Sequence, residues 1–149
     1  MADRYFTLDE ANALVPEIAG RMNLVLQLHA HLRATCRALV QDGVRVNPEL
    51  LARGERLEAA DGRGRQRLAH ARGIYDAVRE AMAEIEATGV VIKDVERGLV
   101  DFPSWLEGRR EVLLCWRIGE TRVDWYHAPD AGFSGREPTS GHRFTATRD

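Results

Sequence analysis

The chain has 149 residues, of which 44% are hydrophobic, and its 21 basic and 23 acidic side chains leave a formal charge of −2. A chain of this length buries enough surface to fold as one domain without disulfide or metal cross-links. The near-neutral charge argues against a protein that mainly coats nucleic acid, so we do not expect nucleic acid as a partner.

The sequence also bears on the cellular compartment. No stretch approaches the roughly 18 apolar residues of a membrane span, and the first twenty residues lack the basic start and apolar block of a secretion signal. We therefore expect a cytoplasmic protein that does not enter a membrane. Cys36 and Cys115 have no Cys-x-x-Cys spacing, so we expect both to be reduced and buried.

A long first helix is predicted from Thr7 to about Gln41. Thr7 and Glu10 have the spacing of a capping box, in which each residue binds the backbone amide of the other. Pro16 lies inside the helix and removes one backbone hydrogen bond, which predicts a bend or a fresh start near Val15. Apolar residues then recur in alternating steps of three and four, a heptad pattern typical of coiled coils. The members of this seam are Leu8, Ala11, Val15, Ile18, Met22, Val25, Leu32, Cys36 and Leu39.

A second helix is predicted from Pro48, with Asn47 as its cap, to residue 88, where Gly89 follows. Its weakest stretch is Asp61–Gly64, whose glycines make it the place for a break or fraying. Both helices would be about 50 to 60 Å long. Because the lengths match, residues 7–88 are predicted to form an antiparallel, coiled-coil-like hairpin.

The first helix carries more apolar residues than one seam needs. A single partner helix cannot cover the leucines outside the seam, so a second contact is implied, either with the C-terminal module or with another copy of the chain. We favour self-association as a dimer through the first helix. The leucines concerned are Leu14, Leu24, Leu26 and Leu28.

After Gly89 the pattern changes to a period of two with many β-branched residues, which indicates short strands at residues 90–95, 99–102, 112–118 and 121–127. The predicted fold class is α+β. One domain would contain the helical hairpin, a small antiparallel β-sheet over residues 89–128, and a glycine-rich loop with a frayed tail over residues 129–149.

The last two of these strands are predicted to form a hairpin through a two-residue type II′ turn at Gly119 and Glu120. This turn pairs Val112 with His127 and leaves Cys115 on the opposite face. A slip of one residue would invert the assignment. The predicted core face holds Val112, Leu114, Trp116, Ile118, Val123, Trp125 and His127.

Five short motifs resemble those of a prokaryotic family of small proteins classed as a domain of unknown function. The resemblance implies a helical hairpin with a small β module and implies no activity. The motifs are Phe6-Thr-Leu-x-Glu-Ala-Asn, Gly98-Leu-Val-Asp-Phe-Pro, Cys115-Trp-Arg-x-Gly-Glu, Trp125-x-His and Gly132-Phe-x-Gly-Arg.

Common catalytic motifs do not occur in the sequence. It contains no phosphate-binding loop, no His-Glu-x-x-His zinc motif, no Glu-x-x-His pair of di-iron bundles and no nucleophile elbow. We therefore favour a non-enzymatic scaffold or interaction protein with an unidentified protein partner. We expect no cofactor on this interpretation.

Among the five histidines, His127 is the strongest candidate for chemistry. His29 falls on the helical seam, where a polar residue usually sets the register, and His31 points away from it. His70 lies off the apolar seam of the predicted second helix, and His142 is in the tail. That seam comprises Leu68, Ala71, Tyr75, Val78, Met82 and Ile85. His127 instead ends the predicted core face, close to the glycine-rich loop.

The alternative hypothesis is a metal- or small-ligand-binding protein, or an enzyme, with a pocket around His127, Asp101 and Arg136. Histidine supplies a proton donor near neutral pH or a metal ligand, which makes His127 the candidate for a bound metal ion. Arginine grips a carboxylate or phosphate with two hydrogen bonds. A polar network that pins the last loop to the sheet is the competing interpretation. The candidate residues are Asp101, Trp116, Glu120, Trp125, His127, Phe133 and Arg136.

Overall fold

A computed structural model describes residues 2–54, 56–59 and 61–149. The chain divides into two compact units, one made of the residues up to Asn23 together with those from Met82 onward, the other of Leu24–Ala81. Helices α1 (Leu8–Gln41), α2 (Pro48–Ala52) and α3 (Gly62–Glu86) precede the β-strands, which confirms the predicted α+β class. Within the described ranges, no helix is long and apolar enough to cross a membrane.

Helix α1 begins as predicted. The Glu10 amide donates to Thr7 Oγ1 at 3.0 Å, and Glu10 Oε1 accepts from the Thr7 amide at 2.9 Å. The helix continues through Pro16, so a fresh start near Val15 is wrong. Buried apolar residues on both sides of the proline outweigh the loss of one hydrogen bond. The buried part of the seam comprises Ala11, Val15, Ile18, Met22, Val25, Leu32, Cys36 and Leu39.

The predicted second helix is two helices. Asn47 caps α2 as expected, since its Oδ1 accepts from the Leu50 amide at 2.8 Å. The chain then leaves the helix near Gly54, which has a left-handed φ of +67°. Asp61 Oδ1 accepts from the Gly64 amide at 2.7 Å and so caps α3. The stretch expected to be a weak point inside one helix is therefore the start of another, because an aspartate before helical residues supplies a cap.

Helices α1 and α3 run antiparallel and form the predicted hairpin. In the helical unit, His31 Nε2 lies 3.4 Å from His70 Nε2, and Arg67 pairs with Asp42. Asp42, which directly follows α1, thus pairs with an earlier residue of α3 than His31 of α1 does. The apolar residues that α3 buries are Leu68, Ala71, Ile74, Val78, Ala81 and Ile85.

The other unit contains an antiparallel sheet of six strands among the described residues. Five follow one another across the sheet in chain order, and the sixth pairs with the second. The strands are β1 (Val91–Asp94), β2 (Leu99–Leu106), β3 (Arg110–Arg117), β4 (Trp125–His127), β5 (Glu137–Pro138) and β6 (Phe144–Thr145).

Part of the segment predicted to be a frayed tail belongs to this sheet. Strand β5 pairs with β4, and Phe144 of β6 pairs with Leu106 of β2. The Phe144 ring is buried and lies 5.2 Å from the Tyr126 ring. The buried Phe144 ring thus holds a segment in the sheet that its composition alone indicated to be a loop.

The turn between β3 and β4 differs from the prediction. The Glu120 amide donates to the Arg117 carbonyl at 3.0 Å, so the turn spans residues 117–120. Gly119, with φ of +99°, takes its third position, where type II turns place glycine, instead of the first central position of a type II′ turn. The chain then runs outside the ladder until Trp125.

This change shifts the pairing by one residue and inverts β4. His127 pairs with Leu113 instead of Val112, and Tyr126 pairs with Leu114. Tyr126 therefore lies on the core face, where Trp125 and His127 were predicted to lie. His127 lies on the opposite face, together with Cys115. The prediction is correct for Val112, Leu114, Trp116 and Val123, which are buried, and wrong for Trp125 and His127 as members of that face.

Candidate functional site

Three side chains with metal-ligating atoms meet on the second face of the sheet. Asp101 of β2 pairs directly with Cys115 of β3, and His127 of β4 lies diagonally beyond it. Side chains at alternate positions of neighbouring strands share a face, which brings the three together. Their ligating atoms all lie within 4.8 Å of one another, and all three residues are buried. We call Asp101, Cys115 and His127 the ligand triad.

The His127 ring is held at both nitrogens. Nδ1 lies 2.8 Å from the Ala128 carbonyl oxygen, which can only accept, so Nδ1 carries a hydrogen. Nε2 lies 3.1 Å from Asp101 Oδ1. The hydrogen bond to Asp101 raises the pKa of His127, and the Ala128 carbonyl raises it further, against the opposing effects of burial and of Lys93. The acceptors at both nitrogens therefore favour the protonated imidazole, which has an N–H donor on each side.

The second oxygen of Asp101 has no such partner. Oδ2 is buried and makes no hydrogen bond to any described residue. It forms an ion pair with Lys93, whose Nζ lies 4.0 Å away, beyond hydrogen-bond distance. Burying a hydrogen-bond acceptor without a donor lowers the stability of a protein, and native proteins rarely contain such acceptors. A bound cation is one way to satisfy this atom.

Cys115 is a neutral thiol in this environment. Burial raises its pKa to about 11, and the nearby charge of Asp101 also raises it. Arg136 Nη1, 4.0 Å from the sulfur, acts in the opposite direction. Because the thiolate is the nucleophile and the metal ligand, Cys115 is unreactive unless a bound metal displaces its proton.

The ligand triad lines a cavity of about 250 Å³. The cavity lies between the second face of the sheet and the loop that follows β4. Its other lining residues are Lys93, Asp94, Arg97, Leu99, Ala131, Gly132 and Phe133. Metal-ligating, cationic and aromatic groups therefore face one small space.

A larger hollow of about 610 Å³ lies in the helical unit beside α2. Among the described residues its lining contains one acidic side chain, Glu49, and no histidine or cysteine. Volume alone does not make a reactive site, since catalysis and metal binding need converging polar groups. The smaller cavity at the ligand triad is therefore the candidate site.

Arg136 fixes the loop that closes the cavity. Its guanidinium binds both carboxylate oxygens of Glu120, at 3.3 and 3.1 Å. It also lies 4.2 Å from the centre of the Phe133 ring and 4.9 Å from the Trp125 ring. The carboxylate that Arg136 binds therefore belongs to Glu120, whereas the sequence suggested the carboxylate or phosphate of a ligand. Through its contact with Phe133, Arg136 connects Glu120 to the cavity wall.

The sequence-predicted residues fall into three groups. Asp101, His127 and Phe133 line the cavity, whereas Glu120, Trp125 and Arg136 form the clamp behind its wall. Trp116 lies apart, on the core face of the sheet, where its Nε1 donates to the Glu120 carbonyl at 2.9 Å.

Sequence reasoning missed Cys115 and Lys93 as parts of the site. Cys115 was predicted to be a reduced, buried thiol, and the wrong turn placed it on the face opposite His127. The available signal was Asp101 itself, a carboxylate within an otherwise apolar strand, which pairs with Cys115 in the next strand. A buried charge needs a partner, and its strand neighbours are the first place to look.

Comparison with curated proteins found no match, and neither did comparison with solved structures. The family comparison did match, over residues 4–139, to a family described as an uncharacterized conserved protein. This agrees with the family resemblance of the sequence motifs and covers both the helical hairpin and most of the sheet. The chain therefore belongs to the DUF2203 family.

Proposed function

We propose that this protein binds a divalent transition metal of the zinc class through the ligand triad and uses it to hold a small ligand in the adjoining cavity. The observation that carries the proposal is the buried Asp101 Oδ2, which lacks a hydrogen-bond partner among the described residues and lies beside a thiol and an imidazole. Zinc takes sulfur, nitrogen and carboxylate oxygen as ligands.

The donor set supports this class of metal. Thiolate and imidazole favour zinc and its neighbours over magnesium or calcium, which prefer oxygen ligands throughout. The hydrogen bond from His127 Nδ1 to the Ala128 carbonyl is the kind of contact that orients a metal-binding histidine and leaves Nε2 for the ion. Three protein ligands leave a fourth position for water or a small molecule, as in catalytic zinc sites.

Metal binding at this site requires the release of protons. The ion replaces the hydrogen that His127 Nε2 shares with Asp101 Oδ1, and it ionises the Cys115 thiol, whose pKa is about 11 without metal. The thiol therefore releases a proton when the metal binds, a protonated His127 releases another, and the apparent affinity rises with pH. A structural network of Asp101 and His127 alone would show no such coupling.

Calorimetry with ZnCl₂ tests the proposal. We expect one equivalent to bind to the wild-type protein, with proton release that is detected by repeating the titration in buffers of different ionisation enthalpy. Cys115→Ser should lower the affinity at least 100-fold. Cys36→Ser, at the other buried cysteine, is the matched control and should bind as the wild type does. Equal zinc binding by folded Cys115→Ser protein, verified by circular dichroism, would disprove the proposed site.

A second candidate function is a cytoplasmic scaffold that dimerises through its coiled-coil-like hairpin and holds a further protein. The observation that favours it is the exposure of two large apolar side chains of α1, Leu24 at 48% and Val40 at 55%. Light scattering after size exclusion should then give a dimer for the wild type and a monomer for Leu24→Glu. A wild-type monomer at high concentration would eliminate this candidate.

A further inference from the structure

The outer rim of the cavity is rich in cations. Lys93 and Arg97 line the cavity itself, and a neighbouring hollow of about 150 Å³ shares Arg97 and adds Arg117. All three side chains are exposed. The two hollows share further lining residues, Leu99 and Phe133, so the three cations lie around two adjoining hollows.

Acidic groups do not balance these cations. Outside the ligand triad, Asp94 is the acidic residue among the described lining of the two hollows, and its Oδ2 lies 3.7 Å from Arg97 Nε. A zinc-class dication bound to the Asp101 carboxylate and the Cys115 thiolate leaves the triad with no net charge. An incoming ligand therefore meets an excess of positive charge, which attracts anions.

The walls of the same space are partly apolar. Leu99 comes from β2, and Phe133 is held in place by the Arg136 guanidinium 4.2 Å from its ring centre. A volume of about 250 Å³ lies below the range of drug-sized sites, which begins near 300 Å³. The ligand that fits best has a compact apolar body as well as an anionic group.

We infer that the ligand of this site is a small organic carboxylic acid. Its carboxylate takes the open position of the bound metal, with Lys93 and Arg97 beside it, and its apolar body rests against Leu99 and Phe133. This inference rests on the proposed metal site, because the metal supplies the anchoring position. Lys93 and Arg97 strengthen the binding of an anion over that of a neutral molecule. The Phe133 ring favours anions that have an apolar part.

Cobalt-loaded protein allows the metal site and the ligand to be tested separately. Co²⁺ bound to a cysteine thiolate absorbs in the near ultraviolet, and its visible bands change when a new ligand enters the coordination sphere. The probes are benzoate, its neutral isostere benzamide, and inorganic phosphate. We expect saturable changes with benzoate, none with benzamide, and at least tenfold weaker binding of phosphate.

Paired variants identify the rim residues. Replacement of Arg97 and Arg117 by glutamine should weaken benzoate binding about fivefold for each charge removed, without altering the cobalt–thiolate absorption. Arg122→Gln is the control, because Arg122 is exposed and paired with Asp124, as Arg97 is with Asp94, but lies outside the cavity lining. Higher salt should weaken benzoate binding to the wild type and affect the doubly substituted protein less.

The outcomes separate the two proposals. A missing cobalt–thiolate absorption overturns the metal site and, with it, the present inference. A normal absorption with no response to benzoate overturns the inference about the ligand and leaves the metal site standing. Phosphate binding equal to benzoate, or equal binding by the Arg97 and Arg117 variants, also overturns the inference, since apolar contact or rim charge would then play no part.

Discussion

The two faces of the sheet bury side chains of different chemistry. One face packs apolar and aromatic side chains such as Phe102, Leu114 and Trp116. The other buries Asp101, Cys115 and His127, and one Asp101 oxygen has no hydrogen-bond partner among the described residues. Burial of apolar surface stabilises a fold, whereas burial of charge and of unpaired polar atoms usually costs stability. The comparison teaches that apolar burial on the first face stabilises the sheet, whereas apolar burial does not explain why the second face carries buried polar groups.

The largest expected effect comes from the apolar face. Phe102→Ala removes a fully buried ring that meets the Phe6 ring edge to face at 5.3 Å, and should lower the free energy of unfolding by about 3 to 5 kcal/mol. Val91→Ala, at an exposed position of β1, should change it by less than about 1 kcal/mol. Urea denaturation measures both. A small loss for Phe102→Ala would refute the idea that this face supplies the stability.

A smaller effect is expected when the polar face is altered. Asp101→Asn leaves His127 without its countercharge and should lower the free energy of unfolding by about 2 kcal/mol at pH 5.5. The loss is smaller than for a permanently charged buried group, because His127 can lose its proton. His127→Gln in the same background should recover part of this loss. Urea denaturation of both single variants and the double variant measures the coupling. Strictly additive losses would show that the two side chains do not interact.

The pH dependence of stability tests whether the Asp101–His127 pair on the polar face of the sheet stabilises the protein. Because the hydrogen bond to Asp101 raises the pKa of His127 above its unfolded value near 6.5, the pair stabilises the protein fully below that pH. The contribution is lost as pH rises through the higher pKa of the folded state. Unfolding free energies from pH 5 to 9 should reveal this decline in metal-free wild type but not in His127→Gln. An NMR titration of His127 gives the folded-state pKa directly.

The smallest effect is expected at the clamp behind the cavity wall, which is formed by Glu120, Trp125 and Arg136. Glu120→Gln keeps the acceptor for the Arg117 amide but weakens the partly buried pair with Arg136, and should cost about 1 kcal/mol. If Phe133 is held by this clamp, benzoate affinity of the metal-loaded protein should also fall. Glu107→Gln, whose partner Arg143 is exposed, is the control and should leave that affinity unchanged. Equal benzoate binding by both variants would mean that the clamp does not shape the cavity.

Local signals predicted the helical part well. The start of α1 depends on Thr7 and Glu10, which are three residues apart, and the buried seam depends on a repeat along one helix. The error in the second helix has a local origin too. Asp61–Gly64 was predicted to be the place for a break or fraying within one helix, whereas Asp61 caps the start of α3. An aspartate followed by glycines is compatible with either structure, and residue type alone does not distinguish them.

The candidate site was predicted only in part. Asp101 and His127 were identified from residue type, and their contact at 3.1 Å joins strands that are not neighbours in the sheet. The third member, Cys115, was lost through a shift of one residue at the turn. Gly119 fits either turn type, because both require a positive φ. The choice between them depends on which neighbours bury Tyr126 and Val123, and those contacts are distant in sequence.

The sequence by itself determined the α+β class, the capped and apolar α1, the family and the chemical identity of the site residues, because these depend on short-range spacing and on residue type. Only the tertiary structure decided the register of β4, the place of Phe144 in the sheet and the meeting of Asp101, Cys115 and His127. In a strand, a shift of one residue moves every side chain to the other face. Long-range burial, which no local pattern contains, selects the register and so assembles the site.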